Sequence, residues 1–262
     1  MTTISASLVK ELREQTGAGM MDCKRALEDS EGDLDAAKRL LREKGMAAAG
    51  KRADRSTPEG IVHSRLGGRT GTLVAVGCET EPVSKNDEFR AFAARALDAV
   101  EQRGAAAVEE LEQERQELVG KLGENIRIVG AARFESADGE TIVAYIHPPA
   151  NKIGSLVKVR GGTPELARDL ALHISFARPR FLARDRVPAE EVEAERDVLM
   201  HTEDVVSKPE QVRGKIVDGR LQKWFADSVL VDQPWFRDAG TTVADAIGDM
   251  EVLDFAVYAL VG

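Results

Sequence analysis

This chain of 262 residues contains only two cysteines, Cys23 and Cys78, and aromatic residues make up 5% of it. Two cysteines are too few for the disulfide framework of a small secreted domain and are typical of a reducing compartment. No run approaches the roughly 20 apolar residues that a membrane span needs. The N-terminal residues include charged side chains and lack the apolar core of a signal peptide. We therefore predict a cytoplasmic protein that makes no membrane contact.

The motifs of common catalytic sites are also missing. The sequence contains no phosphate-binding P-loop, no nucleophile elbow and no dinucleotide fingerprint. The glycine-rich segment 67–71 lies between two predicted strands, so we interpret it as a hairpin turn rather than a phosphate cradle. No histidine stands in a pattern typical of metal ligands; the four are His63, His147, His173 and His201. We predict that the chain is not an enzyme and has no catalytic residue, cofactor or metal site.

The formal net charge is −9 at pH 7. This acidic surplus argues against a general phosphate-binding surface, so we expect no direct contact with nucleic acid. The charge is uneven: residues 1–55 carry 11 Lys and Arg against 10 Asp and Glu, whereas the other 207 carry 25 against 35. A protein partner remains compatible with this charge, because local complementarity matters more than the net sign.

Helical and extended periodicities divide the chain into four segments. These are a three-helix head with its linker (1–55), the N-terminal half of a core (56–147), the C-terminal half of that core (148–186 and 226–262) and a helical hairpin, or coiled-coil, insertion (187–225). Because helices and antiparallel strands are mixed, the predicted fold class is α+β, with a two-part core of antiparallel sheets and a projecting helical hairpin.

In the head, Ser5 or Ser7 can cap the first helix, and Gly17 can end it, since glycine tolerates a positive φ. Asp33 can cap the third helix, and we expect Gly45 to end that helix. The small, basic residues 46–60 are interpreted as a linker. We therefore predict a three-helix head, which resembles a ubiquitin-associated domain.

In the first half of the core, the extended segments 61–66 and 72–78 predict a β-hairpin. A broad apolar stripe predicts a helix from Asp87, and a second helix is expected over 108–122. Two further extended segments flank the turn at 137–140, which predicts a second hairpin.

In the second half, a strand is expected over 155–159, and Thr163 can cap the helix that follows. The highly charged segment 188–225 has sparse apolar anchors and a break at Lys208-Pro209, which predicts the helical hairpin. Alternating apolar residues over 253–261 predict a last strand that returns to the second sheet.

The most specific motif is LREQTGAGMMDCKRAL at 12–27. It resembles the N-terminal signature of the bacterial elongation factor Ts family, the guanine-nucleotide exchange factors of elongation factor Tu. The resemblance covers nearly the whole chain in order. It implies that the protein binds elongation factor Tu·GDP and promotes release of GDP and Mg²⁺, so that GTP can bind.

A second motif, CETEPVSK at 78–85, resembles the family's CETDFVSK. In the family, the Asp-Phe pair of this motif wedges between two partner helices near the Mg²⁺ site. Here Glu81 replaces the aspartate and Pro82 replaces the phenylalanine, and upstream Ala75 and Gly77 stand where Glu and Asn are usual. The resemblance implies a loop that dislocates Mg²⁺, formed by Thr80, Glu81, Pro82 and Val83. The alternative is that Glu81-Pro82 is simply a turn between a strand and the next helix.

Other matched positions are implied to contact the partner. They are Arg13, Met20 and Met21 in the head, Leu122 and Gly123 in KLGENI, His147 in AYIHPP, and Phe236 and Arg237 in QPWFRD. Four of them have a structural alternative: the two methionines can fill a small core, Gly123 can cap a helix, and His147 can be structural or solvated.

Two other functions stay open at this point. Because the wedge is altered, the chain can be a protein that binds or stabilises elongation factor Tu with weak or no exchange activity. It can also be a ubiquitin-associated-like head on an unrelated α+β body. The hairpin 187–225 is compatible with a homodimer, with a further partner contact or with neither.

Overall fold

The computed structural model describes residues 4–260. Residues 1–3 of the predicted head and residues 261–262 of the predicted last strand and C-terminal half lie outside the described residues. The head consists of helices α1 (Ala6–Thr16), α2 (Met20–Asp29) and α3 (Leu34–Arg52). Ser5 Oγ accepts a hydrogen bond from Leu8 N, Gly17 ends α1 at φ 64°, and Asp33 caps α3, so these three predictions are confirmed. The small core of the head includes Leu12, Cys23 and Leu27.

The first half of the core is a three-stranded antiparallel sheet covered by helices. Its elements in chain order are β1 (Glu59–Gly67), β2 (Thr70–Cys78), α4 (Glu81–Ser84), α5 (Asp87–Arg103), a 3-10 helix (Ala105–Leu111), α6 (Glu112–Leu122) and β3 (Ile126–Glu135). The hairpin β1–β2 and the helix from Asp87 are confirmed. The expected helix over 108–122 begins as the 3-10 helix, and only its last part is α-helical.

The second half contains the other large sheet and the helical hairpin. Its elements are β4 (Glu140–Ile146), β5 (Ile153–Arg160), α7 (Pro164–Ala177), a 3-10 helix (Arg184–Arg186), α8 (Ala189–Met200), α9 (Glu203–Val206), α10 (Glu210–Ser228), a 3-10 helix (Leu230–Asp232), β6 (Pro234–Trp235), β7 (Asp238–Thr242), α11 (Val243–Ile247) and β8 (Glu251–Ala259). The strand order is β4-β5-β8, so the last strand does return to the second sheet. α8 packs against α10, and the α+β class is confirmed.

The predicted second hairpin is wrong. β3 pairs with β2 in the first sheet, whereas β4 pairs with β5 in the second, so the turn at 137–140 carries the chain from one sheet to the other. The two sheets pack against each other through apolar side chains that include Leu73 and Leu156. A strand that buries one face between stacked sheets has the same alternating pattern as a hairpin strand, so the pattern alone does not distinguish them. The strand that we assigned to the first half, β4, therefore lies in the sheet of the second half.

The predicted end of the third helix is also wrong. α3 continues through Gly45 to Arg52, and Ala49, 3% exposed, packs into the core of the first half. A Cβ added to Gly120 of α6 would lie 2.9 Å from Gly45 Cα. The two glycines therefore let the backbones of α3 and α6 approach closely, and residues 46–52 are part of the docked helix rather than a linker.

This close helix approach makes a stability prediction. Alanine normally favours a helix over glycine by about 0.5–1 kcal/mol. At Gly120 the added methyl group meets backbone, and overpacking of this kind costs about 1–3 kcal/mol. We expect Gly120→Ala to lower the free energy of unfolding, measured by urea denaturation.

The matched control is Gly219→Ala in α10, where an added Cβ has nothing within 4 Å. It should leave stability unchanged or raise it by up to about 1 kcal/mol. If Gly120→Ala stabilises as much as Gly219→Ala, the close approach of α3 and α6 is contradicted.

Candidate functional site

Lys121 joins the head to the core. A Cβ on Gly17 would overlap the Lys121 side chain, so the stem of this lysine lies directly against the glycine turn between α1 and α2. Its ammonium nitrogen is 2.5 Å from Glu88 Oε1 on the first turn of α5. Met20 and Met21 begin α2 just after that turn, so the motif of the head and the end of α6 are brought together.

Met20 and Met21 are 59% and 58% exposed. The alternative that both fill the small core of the head is therefore wrong, and Cys23 and Leu27 occupy that core instead. Methionine is flexible and polarisable, which suits an adaptable contact surface. Arg13, near the end of α1, is exposed as well.

Between β2 and α5 the chain makes the single helical turn α4. Ser84 N donates to Thr80 O and Lys85 N donates to Glu81 O, both at 3.2 Å. Glu81 and Pro82 are exposed, while Val83 is half-buried and packs on the core of the first half. The pair therefore lies in a helical turn between strand and helix, and both side chains are exposed; this geometry is compatible with the wedge and with the alternative of a simple turn.

The start of this turn is bonded to the segment after α6. Glu124 accepts hydrogen bonds from Glu79 N (3.1 Å), Thr80 N (3.0 Å) and Thr80 Oγ1 (2.5 Å). Asn125 N donates in return to Glu79 Oε1 at 2.6 Å. Gly123 ends α6 at φ 77° and is exposed, so its predicted role as a helix cap is confirmed. Leu122 is half-buried on the core.

Glu81 lies in a positive local field. The hydrogen bond from Lys85, with Nζ and Oε1 2.7 Å apart, lowers the pKa of Glu81, and the nearby charge of Lys152 lowers it further. The carboxylate therefore stays ionised at neutral pH. Lys152 also pairs with Glu59 at 2.5 Å, which places the segment 147–153 at the same end of the molecule as α4.

His147 belongs to an aromatic cluster on that segment and on α7. Its Nδ1 is 3.1 Å from the Tyr145 hydroxyl, and its ring meets Phe176 edge-on at 4.8 Å. Phe176 is 49% exposed. One turn earlier on α7, the buried His173 stacks on Trp235 and lies 6.1 Å from Phe236. α7 thus connects His147 with Phe236.

Arg237 is held beside Phe236. Its guanidinium makes two hydrogen bonds to the Asp169 carboxylate, at 2.7 and 2.9 Å, and lies 5.1 Å from the Phe236 ring. A two-point bond of this kind fixes the orientation of the planar group. Phe236 is 44% exposed, so an apolar ring and a cation are presented together.

Two comparisons with known proteins, one with family models and one with curated proteins, give the same family. The family model described as Elongation factor TS matches residues 79–261. The protein named Elongation factor Ts of Halorhodospira halophila is 42% identical over 270 residues, covering 98% of this chain and 91% of the relative. Its namesake from Alkalilimnicola ehrlichii is 40% identical over 260 residues, covering 93% and 87%, and that from Deinococcus radiodurans is 38% identical over 260 residues, covering 95% and 97%.

The chain belongs to the elongation factor Ts family. It is a guanine-nucleotide exchange factor for elongation factor Tu in translation elongation. The family model covers the body of the chain rather than the head. The alternative of a ubiquitin-associated-like head on an unrelated body is therefore wrong.

The groups of chemical interest that remain in this member of the elongation factor Ts family include the Cys78 thiol and possible metal ligands. Cys78 is buried, and burial together with the charge of Glu124 raises the pKa of its thiol to about 12, so the thiol is unreactive at neutral pH. Within residues 4–260 no group of three or more His, Cys, Asp or Glu is placed to hold a metal ion. Over the same range no helix has the length and apolar character needed to cross a membrane.

Two residues of the candidate site, Phe176 and Glu124, were not predicted from the sequence. Phe176 lies off the stripe that buries Leu170 and Ile174, and an aromatic residue off the buried stripe of a helix is a signal that could have found it. Glu124 bonds to residues more than forty positions earlier in the chain, and no local pattern indicates such a contact.

Proposed function

We propose that α4 is the element that acts on the nucleotide site of elongation factor Tu. In this proposal Glu81 and Pro82 enter the partner beside its Mg²⁺ site, with Thr80 and Val83 supporting them. The head binds through Arg13, Met20 and Met21, and the end of α6 through Leu122 and Gly123. A further contact is made by His147, Phe236 and Arg237, with Phe176 added to it.

The observation that carries this proposal is the chain of contacts between segments that are distant in sequence. Lys121 of α6 contacts the head at Gly17, and Glu124, just after α6, bonds to Thr80 at the start of α4. The charge of Lys152, the residue before β5, acts on Glu81 of α4. α7 then connects His147 to Phe236. Motifs that resemble partner contacts of the family are therefore neighbours in space, as one extended interface requires.

The mechanism needs no covalent step, and for that reason we propose no catalytic residue. An exchange protein binds the nucleotide-free partner more tightly than the GDP-bound partner. Because the two binding equilibria are linked, it lowers the partner's affinity for GDP by the same ratio. An ionised Glu81 supplies negative charge near the partner's Mg²⁺ site, and rigid α4 supplies a preformed shape. We place this activity in the cytoplasm. A homodimer through α8 and α10 stays a prediction.

The test measures release of a fluorescent GDP analogue from elongation factor Tu by stopped flow, over a range of concentrations of the full chain. We expect the release rate to rise with concentration and to saturate. Tight binding without any acceleration at saturation would favour the other candidate, a protein that binds or stabilises elongation factor Tu without exchange.

A further inference from the structure

Two carboxylates bond the start of α4 and the segment after α6 to each other in a reciprocal way. Glu124 accepts from two successive backbone N–H groups and one hydroxyl of Glu79 and Thr80, at 2.5 to 3.1 Å. Glu79 accepts from the backbone N–H of Asn125 at 2.6 Å. Each carboxylate therefore fixes the backbone of the other segment rather than only a side chain.

The same network extends to the end of the head helix. The buried Asn125 donates from Nδ2 to Arg55 O at 2.7 Å and to Ala53 O at 3.3 Å. The Arg55 guanidinium lies 3.3 Å from Glu79 Oε2. The residues just after α3, the segment after α6 and the start of α4 are thus joined in one set of hydrogen bonds.

The position of Glu124 relative to α4 suggests what the network does. The hydroxyl of Thr80 is directed into the network, although Thr80 is itself exposed. After α4, Asn86 caps α5 and fixes the other side of the turn. On the side of β2, Glu124 accepts hydrogen bonds from the backbone N–H groups of Glu79 and Thr80, the two residues before Glu81, and so fixes their position. Without them these groups bond to water, and α4 gains freedom to tilt on Val83.

We propose that Glu124 is a positioning residue for nucleotide exchange. It holds α4 in the orientation in which Glu81 and Pro82 reach the partner's Mg²⁺ site, and this role rests on the proposed function of α4. In the proposed interface the head and the surface at His147 and Phe236 bind the partner in either orientation of α4. If α4 of the bound protein holds the competent orientation only a tenth of the time, the maximal exchange rate falls about tenfold, since only the competent fraction acts.

The experiment compares Glu124→Ala, Glu124→Gln, Thr80→Val and Thr80→Ser in the stopped-flow assay of GDP release with the full chain. It reads the maximal rate separately from the concentration that gives half of it. We expect Glu124→Ala to lower the maximal rate about tenfold, while the half-saturating concentration changes by less than about threefold. Glu124→Gln keeps an accepting oxygen and should be intermediate. Thr80→Val should be slower than Thr80→Ser, which keeps the hydroxyl.

The matched control is Glu140→Ala. Glu140 also accepts a bond from a loop backbone, Ala137 N at 2.9 Å, but it follows the turn at the far end of β3. The maximal rate of GDP release with the Glu140→Ala variant should equal that with the parent chain. Urea denaturation of every variant reports whether it folds; should Glu124→Ala not fold, the Thr80→Val and Thr80→Ser pair decides.

A folded Glu124→Ala with an unchanged maximal rate would overturn the inference, as would equal rates for the two Thr80 variants. A change confined to the half-saturating concentration would make Glu124 a binding residue, and this also overturns it. Failure of the proposed function is distinguishable by a double variant of α4 itself, Glu81→Ala with Pro82→Gly. If α4 has no role in exchange, this variant also leaves the maximal rate unchanged.

Discussion

The double variant Glu81→Ala, Pro82→Gly should release GDP from elongation factor Tu at a maximal rate at least about tenfold below that of the parent chain. It removes an ionised carboxylate and replaces a rigid residue by a flexible one, at two exposed positions of α4. The added backbone freedom of glycine costs about 0.5–1 kcal/mol of preorganisation. The lost contacts bring the total past the 1.4 kcal/mol that corresponds to tenfold. The measurement is the stopped-flow assay at saturating factor.

The control for this variant is Pro209→Gly, Glu210→Ala. It changes the same two residue types at the exposed start of another helix, α10, where Pro209 is the N-cap and Glu210 the first helical residue. Its maximal rate should match that of the parent. An unchanged rate for the Glu81 and Pro82 variant would mean that these residues are only a turn.

Pro82→Phe is the complementary change, because it restores the residue type usual in the family. Burying a phenylalanine ring contributes about 1.5–3 kcal/mol. Proline offers less area but lowers the ordering cost of the turn. Exchange should therefore be preserved or raised in this variant if α4 acts as a wedge.

Replacing Met20 and Met21 together by alanine should raise the half-saturating concentration about 10- to 100-fold. Both side chains are more than half exposed in the free chain, so their removal leaves the core of the head intact. Burial of methionine at an interface contributes about 1.5–3 kcal/mol. Because burial here is incomplete, the pair should supply the 1.4–2.8 kcal/mol that corresponds to this range.

The matched control is Met46→Ala, a methionine of the head that is 47% exposed on α3. It lies outside the proposed surface and should leave the half-saturating concentration unchanged. Urea denaturation should give equal stability for all of these variants. An unaltered half-saturating concentration for the double variant would remove the methionines from the interface.

The local parts of the fold were predictable from the sequence, because their signals lie within a few residues. Ser5, Gly17 and Asp33 cap the helices as expected, and the hairpin β1–β2 follows its glycine turn. These elements depend on capping groups and turn residues that act locally.

The errors have a common physical origin in long-range contacts. Gly45 looks like a helix end, but α3 continues through it. The absence of a side chain at Gly45 instead lets the backbone of α6 at Gly120 pack closely against α3. β3 and β4 look like a hairpin, but β3 pairs with β2 in the first sheet and β4 pairs with β5 in the second. Tertiary packing overrides the local signal in both cases.

The candidate site follows the same division. Its exposed residues were predictable from their resemblance to family motifs, and the structure shows Met20, Met21, Glu81 and Pro82 to be accessible. The residues that hold α4 in place were not predictable, since Glu124 bonds to Thr80, 44 positions away in the sequence.

The pairing of β5 with β8 affects the order in which the chain folds as it leaves the ribosome. β1, β2 and β3 are complete by Glu135, so the first sheet can form while the rest is still being made. β5 must wait for β8, whose Ala259 pairs with Ile153. Until then the apolar side chains of β5 lack one neighbour, and contacts this distant in sequence form slowly. The half-made protein therefore passes through a stage in which the second sheet is open and most in need of protection from aggregation.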